Sequence, residues 1–482
     1  MITNKVFKKI CNLSNSILKD RPTLCNLSNP FLFIVSGHPF FLSRYKNINP
    51  KQINFLFYIN YFLKILLNLS QLFFYFFRIF FLRNVNNIRK TEKYNCIIIS
   101  HIINKKNFEN NIDSQYCGIE KKFSKKKTIF FYLNHIKLRK FSQRKKFKSN
   151  SNFFFNNNFI DFKIYKKIII QIFCEFYFLS KKILKTKDNF KKIFYIRCSQ
   201  YTLSLSTVKN MILFYNLEKI ILENKIKSIV ITLEGHPYEF LVFLLKKKYK
   251  INVFAYQHSL VTNTHFSMFL DIDKNLSPSK ILTNGEVSYN FLKKKIDKKK
   301  IIILGSNKYR NRNKFNLKSN SRCLILPTGL ESETLELLKL CCKCLENKKN
   351  KFEFILRLHP HIDKKKFVEE NKHLLSKVKI SNSLKLDKDI LLCKFVLYRG
   401  SSSVVEAMQQ GLIPIYFYDN NNQIQIDPLW QLKSKNMVKN HKELFSTLKK
   451  NNIINNHKIQ SYINFANKFY TPINHKNLRG IL

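Results

Sequence analysis

From residue 227 onward, short runs rich in β-branched and aromatic residues alternate with helical stretches, and few folds accept that pattern. KSIVITLE (227–234) reads as a strand and PYEFLVFLLKKK (237–248) as a helix. INVFAYQH (251–258) and KILTNG (280–285) read as strands, EVSYNFLKKK (286–295) as a helix and KIIILG (300–305) as a strand. Strands joined through helices pair in parallel, so this half predicts a Rossmann-like sheet. A second series follows: CLILPTG (323–329), a helix from Glu331, KFEFILRLHP (351–360), a helix from Asp363, VKIS (378–381), FVLYRG (395–400), a helix from Ser401 and IPIYF (413–417). Between the two, SNKYRNRNKFNLKSNS (306–321) is polar and basic with no apolar pattern, which suits a linker. The expected architecture is therefore α/β, with two Rossmann-like domains, 94–305 and 322–482, facing across a cleft.

The remaining sequence is less regular. YNCIIISHI (94–102) opens the first domain, and the Lys-, Phe- and Asn-rich segments 121–127 and 138–158 read as inserted surface loops. Residues 1–93 read as a basic, aromatic-rich N-terminal extension, polar and without clear periodicity over 1–30. Within it, 53–82 is the most apolar stretch, but Lys64 and Arg78 leave apolar runs of only eleven and thirteen residues. A bilayer span needs about twenty. Two helices, in the core or on a lipid surface, are expected instead, and Arg83, Arg89, Lys90 and Lys93 suit an interfacial position.

Charge tests the partner classes. With 86 Lys and Arg against 30 Asp and Glu, the net charge of +56 points to nucleic acid or an anionic membrane. Yet Lys exceeds Arg, Asn, Ile and Phe are abundant, and Gly (9), Pro (11) and Trp (1) are scarce, the pattern of A- and T-rich codons. No nucleic-acid-binding module is recognisable and the basic residues are spread everywhere. Adherence to an anionic membrane surface is expected, and a specific nucleic-acid partner is not. The 11 cysteines follow no disulfide framework, and Cys174, Cys323 and Cys393, in apolar runs, read as reduced core residues. The first thirty residues show no secretory pattern, so a cytoplasmic protein, peripheral at the inner face of the cell membrane, is expected.

Four segments carry candidate chemistry. In FVLYRGSSSVVEAMQQGLIPIYF (395–417), a strand ends at Arg399-Gly400 and a helix opens at Ser401, Ser402 and Ser403. The serines are expected to cap that helix and to bind phosphate at the sheet's ligand edge, with Glu406 within reach of a ribose. In RLHPH (357–361), Pro360 stops a strand and leaves Arg357, His359 and His361 near that edge, exposed for charge-assisted contacts to phosphate. In TLEGHPYE (232–239), Glu234, His236 and Glu239 lie where a strand gives way to a helix of the first domain, a position that suits a general base. AYQHSLVTNTH (255–265) places His258 at the next strand end as a competing base. Asp271-Ile272-Asp273 matches a metal–nucleotide spacing that arises often by chance. Cys341, Cys344, His359 and His361 superficially resemble a zinc set, but the cysteines fall inside a predicted helix. No metal and no cofactor are expected.

RLHP followed about forty residues later by a Ser-Ser run before a helix resembles the paired HP and SS motifs of bacterial sialyltransferases, which hold the phosphate of a CMP-sugar. Those enzymes carry two acids and a glycine in the first domain, one acid serving as base; Leu233-Glu234-Gly235 keeps one acid and the glycine. The wider series LEGHPYE, YQHS, ILTNGEVSYNFLKK, RLHPH and SSSVVEA, with SQYCGIEKKF (114–123) earlier, is similar to bacterial surface-carbohydrate biosynthesis proteins of the GT-B glycosyltransferase type. The resemblance covers roughly 95–420 and implies transfer of a sugar from a nucleotide-activated donor, CMP-linked among the candidates, to a growing surface polysaccharide or lipopolysaccharide. On it, Arg357, His359, Ser401, Ser402, Ser403 and Glu406 would bind the donor. Glu234 or His258 would act as base, with His236, Glu239 and Gly400 elsewhere in the cleft. A polyol-phosphate transferase or a nucleotide-sugar epimerase of the same architecture stays open, as does a nucleic-acid-binding protein.

Overall fold

The computed structural model describes residues 2–46, 48, 54–80, 86–87, 94–102, 128–134, 152–155, 161–309, 321–346, 351–418, 424–452 and 456–479. SQYCGIEKKF and most of the linker lie outside them. The first sheet contains β1 (Asn86–Asn87), β2 (Cys96–Ile102), β3 (Thr128–Asn134), β4 (Asn152–Phe155), β5 (Ser228–Thr232), β6 (Asn252–Gln257), β7 (Lys280–Thr283) and β8 (Ile301–Ile303). Their order is β1-β4-β3-β2-β5-β6-β7-β8, parallel except for the β1–β4 pair. The second holds β9 (Arg322–Leu326), β10 (Glu353–Leu356), β11 (Lys379–Ile380), β12 (Phe395–Tyr398), β13 (Ile413–Phe417) and β14 (Asn436–Val438). It is wholly parallel, in the order β11-β10-β9-β12-β13-β14. The protein is thus an α/β molecule of two Rossmann-like domains facing across a cleft.

The strand order decides where ligands can go. In each sheet the chain winds outward in one direction and then returns to wind the other way, between β2 and β5 in the first and between β9 and β12 in the second. Loops leaving those two pairs part in opposite directions and open a crevice at the strands' C-terminal ends. The strands that flank it are buried on both faces, which is why β12 reads Phe-Val-Leu-Tyr without alternation.

Several parts of the chain sit differently from their expected places. Residues 4–46 are not a loose extension but part of the first domain's core. Helix Asn4–Asp20 buries Ile10, Ser14, Ile17 and Leu18, spaced three and four apart, and Phe31–Val35 are fully enclosed. The stretch 53–82 yields one continuous helix, Phe55–Phe80, rather than two, because Lys64 lies on its exposed side and interrupts nothing. Three successive helices, Phe162–Lys185, Asn189–Thr202 and Leu205–Asn224, precede β5. Within 138–158, residues 152–155 form β4 rather than surface loop. Cys323 and Cys393 are core residues as expected, whereas Cys174 is exposed.

The domain boundary is crossed twice. Helix Asn456–Phe469 belongs to the second domain's core, but the chain after Tyr470 returns to the first. There Ser306 N–H bonds the Thr471 carbonyl (2.9 Å), Asn474 N–H bonds the Leu304 carbonyl (2.8 Å), and Leu478 is buried against β8's surroundings. The single tryptophan, Trp430, bridges the domains: its ring lies 5.3 Å from Phe291 and its indole N–H donates to the Val261 carbonyl at 3.3 Å.

Candidate active site

Both crevices open on the same space. A cavity of about 320 Å³ is lined from the first domain by Glu234, His258, Thr262 and His265, and from the second by Gly400, Ser402 and Pro428. Ser36, His38, Lys308 and Tyr470 complete its wall.

Glu234 leaves β5 through a turn that only a few residues permit. Gly235 has φ of +95°, and a Cβ there would lie 2.6 Å from the Met268 backbone nitrogen, so glycine is required. The turn is clamped from within by Glu239, fully buried on the following helix Pro237–Tyr249. Its carboxylate accepts the N–H groups of Glu234 (2.8 Å), Gly235 (2.7 Å) and His236 (3.2 Å). Glu239 therefore shapes the turn and does not face the cavity. With the backbone fixed, the Glu234 carboxylate meets two imidazoles: Oε2 lies 3.0 Å from His236 Nε2 and Oε1 lies 3.4 Å from His258 Nε2.

The electrostatics follow from that arrangement. Enclosure works to raise the Glu234 carboxyl, but His258 and His236 outweigh it and hold the group well below the usual carboxylate range. Enclosure opposes charge on His236, yet Glu234 and Glu239 overcome it and its imidazole titrates above the ordinary value. His258 goes the other way: burial lowers it, with Glu234 only partly compensating. Its Nδ1 is buried and has no hydrogen-bond partner among the described residues. The cluster thus sets an ionised carboxylate beside a neutral imidazole, and the carboxylate would stabilise that imidazole once it took up a proton.

On the opposite wall, Gly400 follows β12 at the crevice. A Cβ there would come within 2.8 Å of Thr328 Cγ2, which belongs to the loop after β9. Ser402 is exposed and lines the cavity; Ser401 is buried and Ser403 half-buried. Ser402 stands at the cap position of helix Ser403–Gln409, but no side-chain bond caps that helix, contrary to the expectation from sequence. Glu406 is half-buried one turn further along and is not part of the cavity wall.

The RLHP segment is arranged otherwise than its sequence suggests. Arg357 turns away into an ion pair with buried Asp389 (2.5 Å) and also donates to the Ser383 and Leu384 carbonyls. His359 stacks on His361, ring centres 5.0 Å apart, and packs over Gly329 in the loop after β9. Neither Arg357 nor His359 is part of the cavity wall. Asp271 and Asp273 are separately paired with Lys19 and Lys247, and Cys341 and Cys344 are core residues of helix Glu331–Leu345.

Sequence reasoning missed His38, His265 and Lys308. A signal for His38 existed: Gly-His-Pro occurs twice, at 37–39 and 235–237, and each histidine stands at the cap of a helix beside the cavity. Burial pushes His38 down to about 4, aided by Arg399, and burial likewise pushes His265 down to about 4. Lys308 was hidden in a segment read as linker.

No protein-family model matches the chain, and no curated protein does. Among solved structures it is similar to a putative UDP-N-acetylglucosamine 2-epimerase from Listeria monocytogenes, 9% identical with a TM-score of 0.45 over 78% of this chain and 93% of that one. It is also similar to the lipopolysaccharide outer core galactosyltransferase WaaB, 11% identical with a TM-score of 0.47, covering 80% and 98% of the two chains. For Anabaena Alr3699/HepE in complex with UDP the identity is 10% and the TM-score 0.45, with 80% and 99% covered.

Proposed function

We propose that the protein transfers a sugar from a nucleotide-activated donor to a hydroxyl of a surface-glycan acceptor, in the cavity between its domains. The observation that carries this reading is the cavity's two-sided wall, with Glu234 and His258 at strand ends of one parallel sheet and Gly400 and Ser402 at a strand end of the other. The C-terminal edge beside a switch in strand order is where open α/β sheets hold phosphates. A transferase needs one such edge for the donor and a base on the facing edge for the acceptor.

The base in this mechanism is His258 Nε2, which lies beside Glu234 Oε1 at 3.4 Å, because Nδ1 is enclosed. A neutral imidazole accepts a proton more readily than a carboxylate held below its usual range. The acceptor hydroxyl gives its proton to His258, and its oxygen bonds to the anomeric carbon of the sugar. The bond from that carbon to the donor phosphate oxygen breaks, and the phosphate keeps the electron pair. Glu234 stabilises the imidazolium, while the Lys308 ammonium and the Ser402 hydroxyl oppose the charge that grows on the leaving phosphate.

The test is a turnover assay across CMP-, UDP- and GDP-sugars, with donor binding measured by calorimetry. His258→Asn should lower kcat by about 10²–10⁴-fold while the donor dissociation constant holds. Loss in Glu234→Gln with turnover kept in His258→Asn would move the base to Glu234. Isomerised donor without transfer would favour an epimerase, and transfer of a polyol phosphate the corresponding transferase. No binding of any nucleotide sugar would sink the reading.

A further inference from the structure

Helix Phe55–Phe80 runs 26 residues, about 39 Å at the α-helical rise. Its inward stripe of Phe57, Tyr61, Ile65, Asn68, Leu72 and Phe76 repeats at three and four residues and faces the helical layer of the first domain. Tyr61 Oη lies 3.0 Å from Ser199 Oγ, and the Asn68 amide donates to the Gln200 carbonyl at 2.8 Å. The helix therefore lies along the domain for its whole length and does not project from it. The opposite arc is apolar and bare: Phe62, Phe73 and Phe74 are 60%, 68% and 70% exposed, and Phe55, Ile59 and Leu66 join them. By length and composition alone Phe55–Phe77 could cross a bilayer. Contiguous exposed apolar surface on this scale marks a contact face.

Charge indicates what covers it. Helices 55–80, 162–185 and 189–202 hold one carboxylate among them, Glu175, which is buried and paired with Arg21 at 2.8 Å, and helix 205–224 adds Glu218 and Glu223, each paired with a lysine. The rim of the apolar arc is cationic. Lys64 is exposed on the helix itself, Lys192 Nζ lies 5.8 Å from the Tyr58 ring near one end, and Lys209 Nζ lies 5.8 Å from the Tyr75 ring near the other. A second copy would bring another such cationic rim, and another net charge of +56, against the first.

We infer that this helix lays the first domain flat on an anionic lipid bilayer, its apolar arc at the acyl boundary and its lysines on the headgroup phosphates. The domain that carries Glu234 and His258 is then the docked one. Among the described residues, helix 55–80 packs on the helices 189–202 and 205–224 of the first domain. This inference stands apart from the reaction proposed above.

The test is sedimentation of the full chain with vesicles of phosphatidylcholine, alone or mixed with phosphatidylglycerol. Binding should favour the mixed vesicles by about tenfold or more. Replacing Phe62, Leu66 and Phe73 together by serine should cut that binding by about tenfold or more, with an unchanged thermal midpoint, because all three are exposed. Lys192→Glu with Lys209→Glu should weaken binding to the mixed vesicles by about tenfold or more while leaving binding to pure phosphatidylcholine unchanged. Equal binding to both vesicle types, or unimpaired binding by the serine variant, overturns the inference. So does a dimer that the serine variant dissociates without vesicle binding, or resistance to alkaline carbonate, which would show a span.

Discussion

Replacing Arg357 by alanine separates two uses of the RLHP segment. If Arg357 were a cleft ligand for phosphate, its loss would weaken nucleotide binding by about tenfold to a hundredfold and leave stability alone. The structure assigns it elsewhere. Its guanidinium meets Asp389, only 2% exposed, at 2.5 Å, and donates to the Ser383 carbonyl at 3.0 Å and the Leu384 carbonyl at 3.3 Å. Removing one partner of a buried ion pair costs about 3–5 kcal/mol. Two features lower that figure: Asp389 keeps the Ser381 hydroxyl at 2.7 Å, and Arg357, 23% exposed, leaves a path for water. The expected loss is about 2–4 kcal/mol. Equilibrium denaturation followed by circular dichroism would read it, and calorimetric titration below the transition would read nucleotide affinity. Removing Asp389 as well should restore part of the loss, because the stranded charge goes with it. Stability within about 0.5 kcal/mol of the parent, together with weakened nucleotide binding, would refute the reasoning and return Arg357 to the donor.

Gly235→Ala should destabilise the fold by more than about 2 kcal/mol in the same denaturation experiment, since φ of +95° and a 2.6 Å contact both oppose a side chain. His38 and His265 take up protons in the unfolded chain near their ordinary 6.5 but in the fold only near 4. Stability should therefore be flat above that window and fall as pH drops through it, and His265→Gln should make the fall shallower in melts against pH. Trp430 emission should shift when a nucleotide sugar closes the cleft, because its ring and N–H both rest on the first domain; an unchanged spectrum at saturation would argue against closure.

Strands β2 and β5 to β13 were legible in the sequence, because parallel strands buried on both faces read as unbroken apolar runs between helices, whereas β1, β3, β4 and β14 were not read as strands. KSIVITLE and FVLYRG are such runs, and both lead into the cavity wall. Glu234 and His258 were legible for the same reason, as polar residues at the ends of apolar strands. Helix Asn4–Asp20 was not, because its inward positions include Ser14 and its outward ones are mostly Lys and Asn, which blurs the stripe. Arg357 misled because a strand end fixes where a backbone stops, not where a long side chain goes. Its partner Asp389 lies 32 residues away, beyond any local pattern. Lys308 shows the converse: a polar segment looks like a spacer until the fold brings it beside the chain's second crossing.

That double crossing has a mechanical consequence. Ser306 and Thr471 are bonded to each other, and the Pro472 carbonyl sits so close over Gly305 that a Cβ there would lie 2.1 Å away. Two bodies strapped together by adjacent chain crossings cannot slide apart or twist freely; what remains is swinging about the line through the straps, as a book opens at its spine. Lys308 and Tyr470, 5.6 Å apart from ammonium to ring, stand at that spine and also line the cavity. A ligand that touches them leans on the pivot, where motion is least, while Ser402 rides on the moving cover. Small swings would then change the distance from Ser402 to His258 while leaving the ligand's hold on the spine intact.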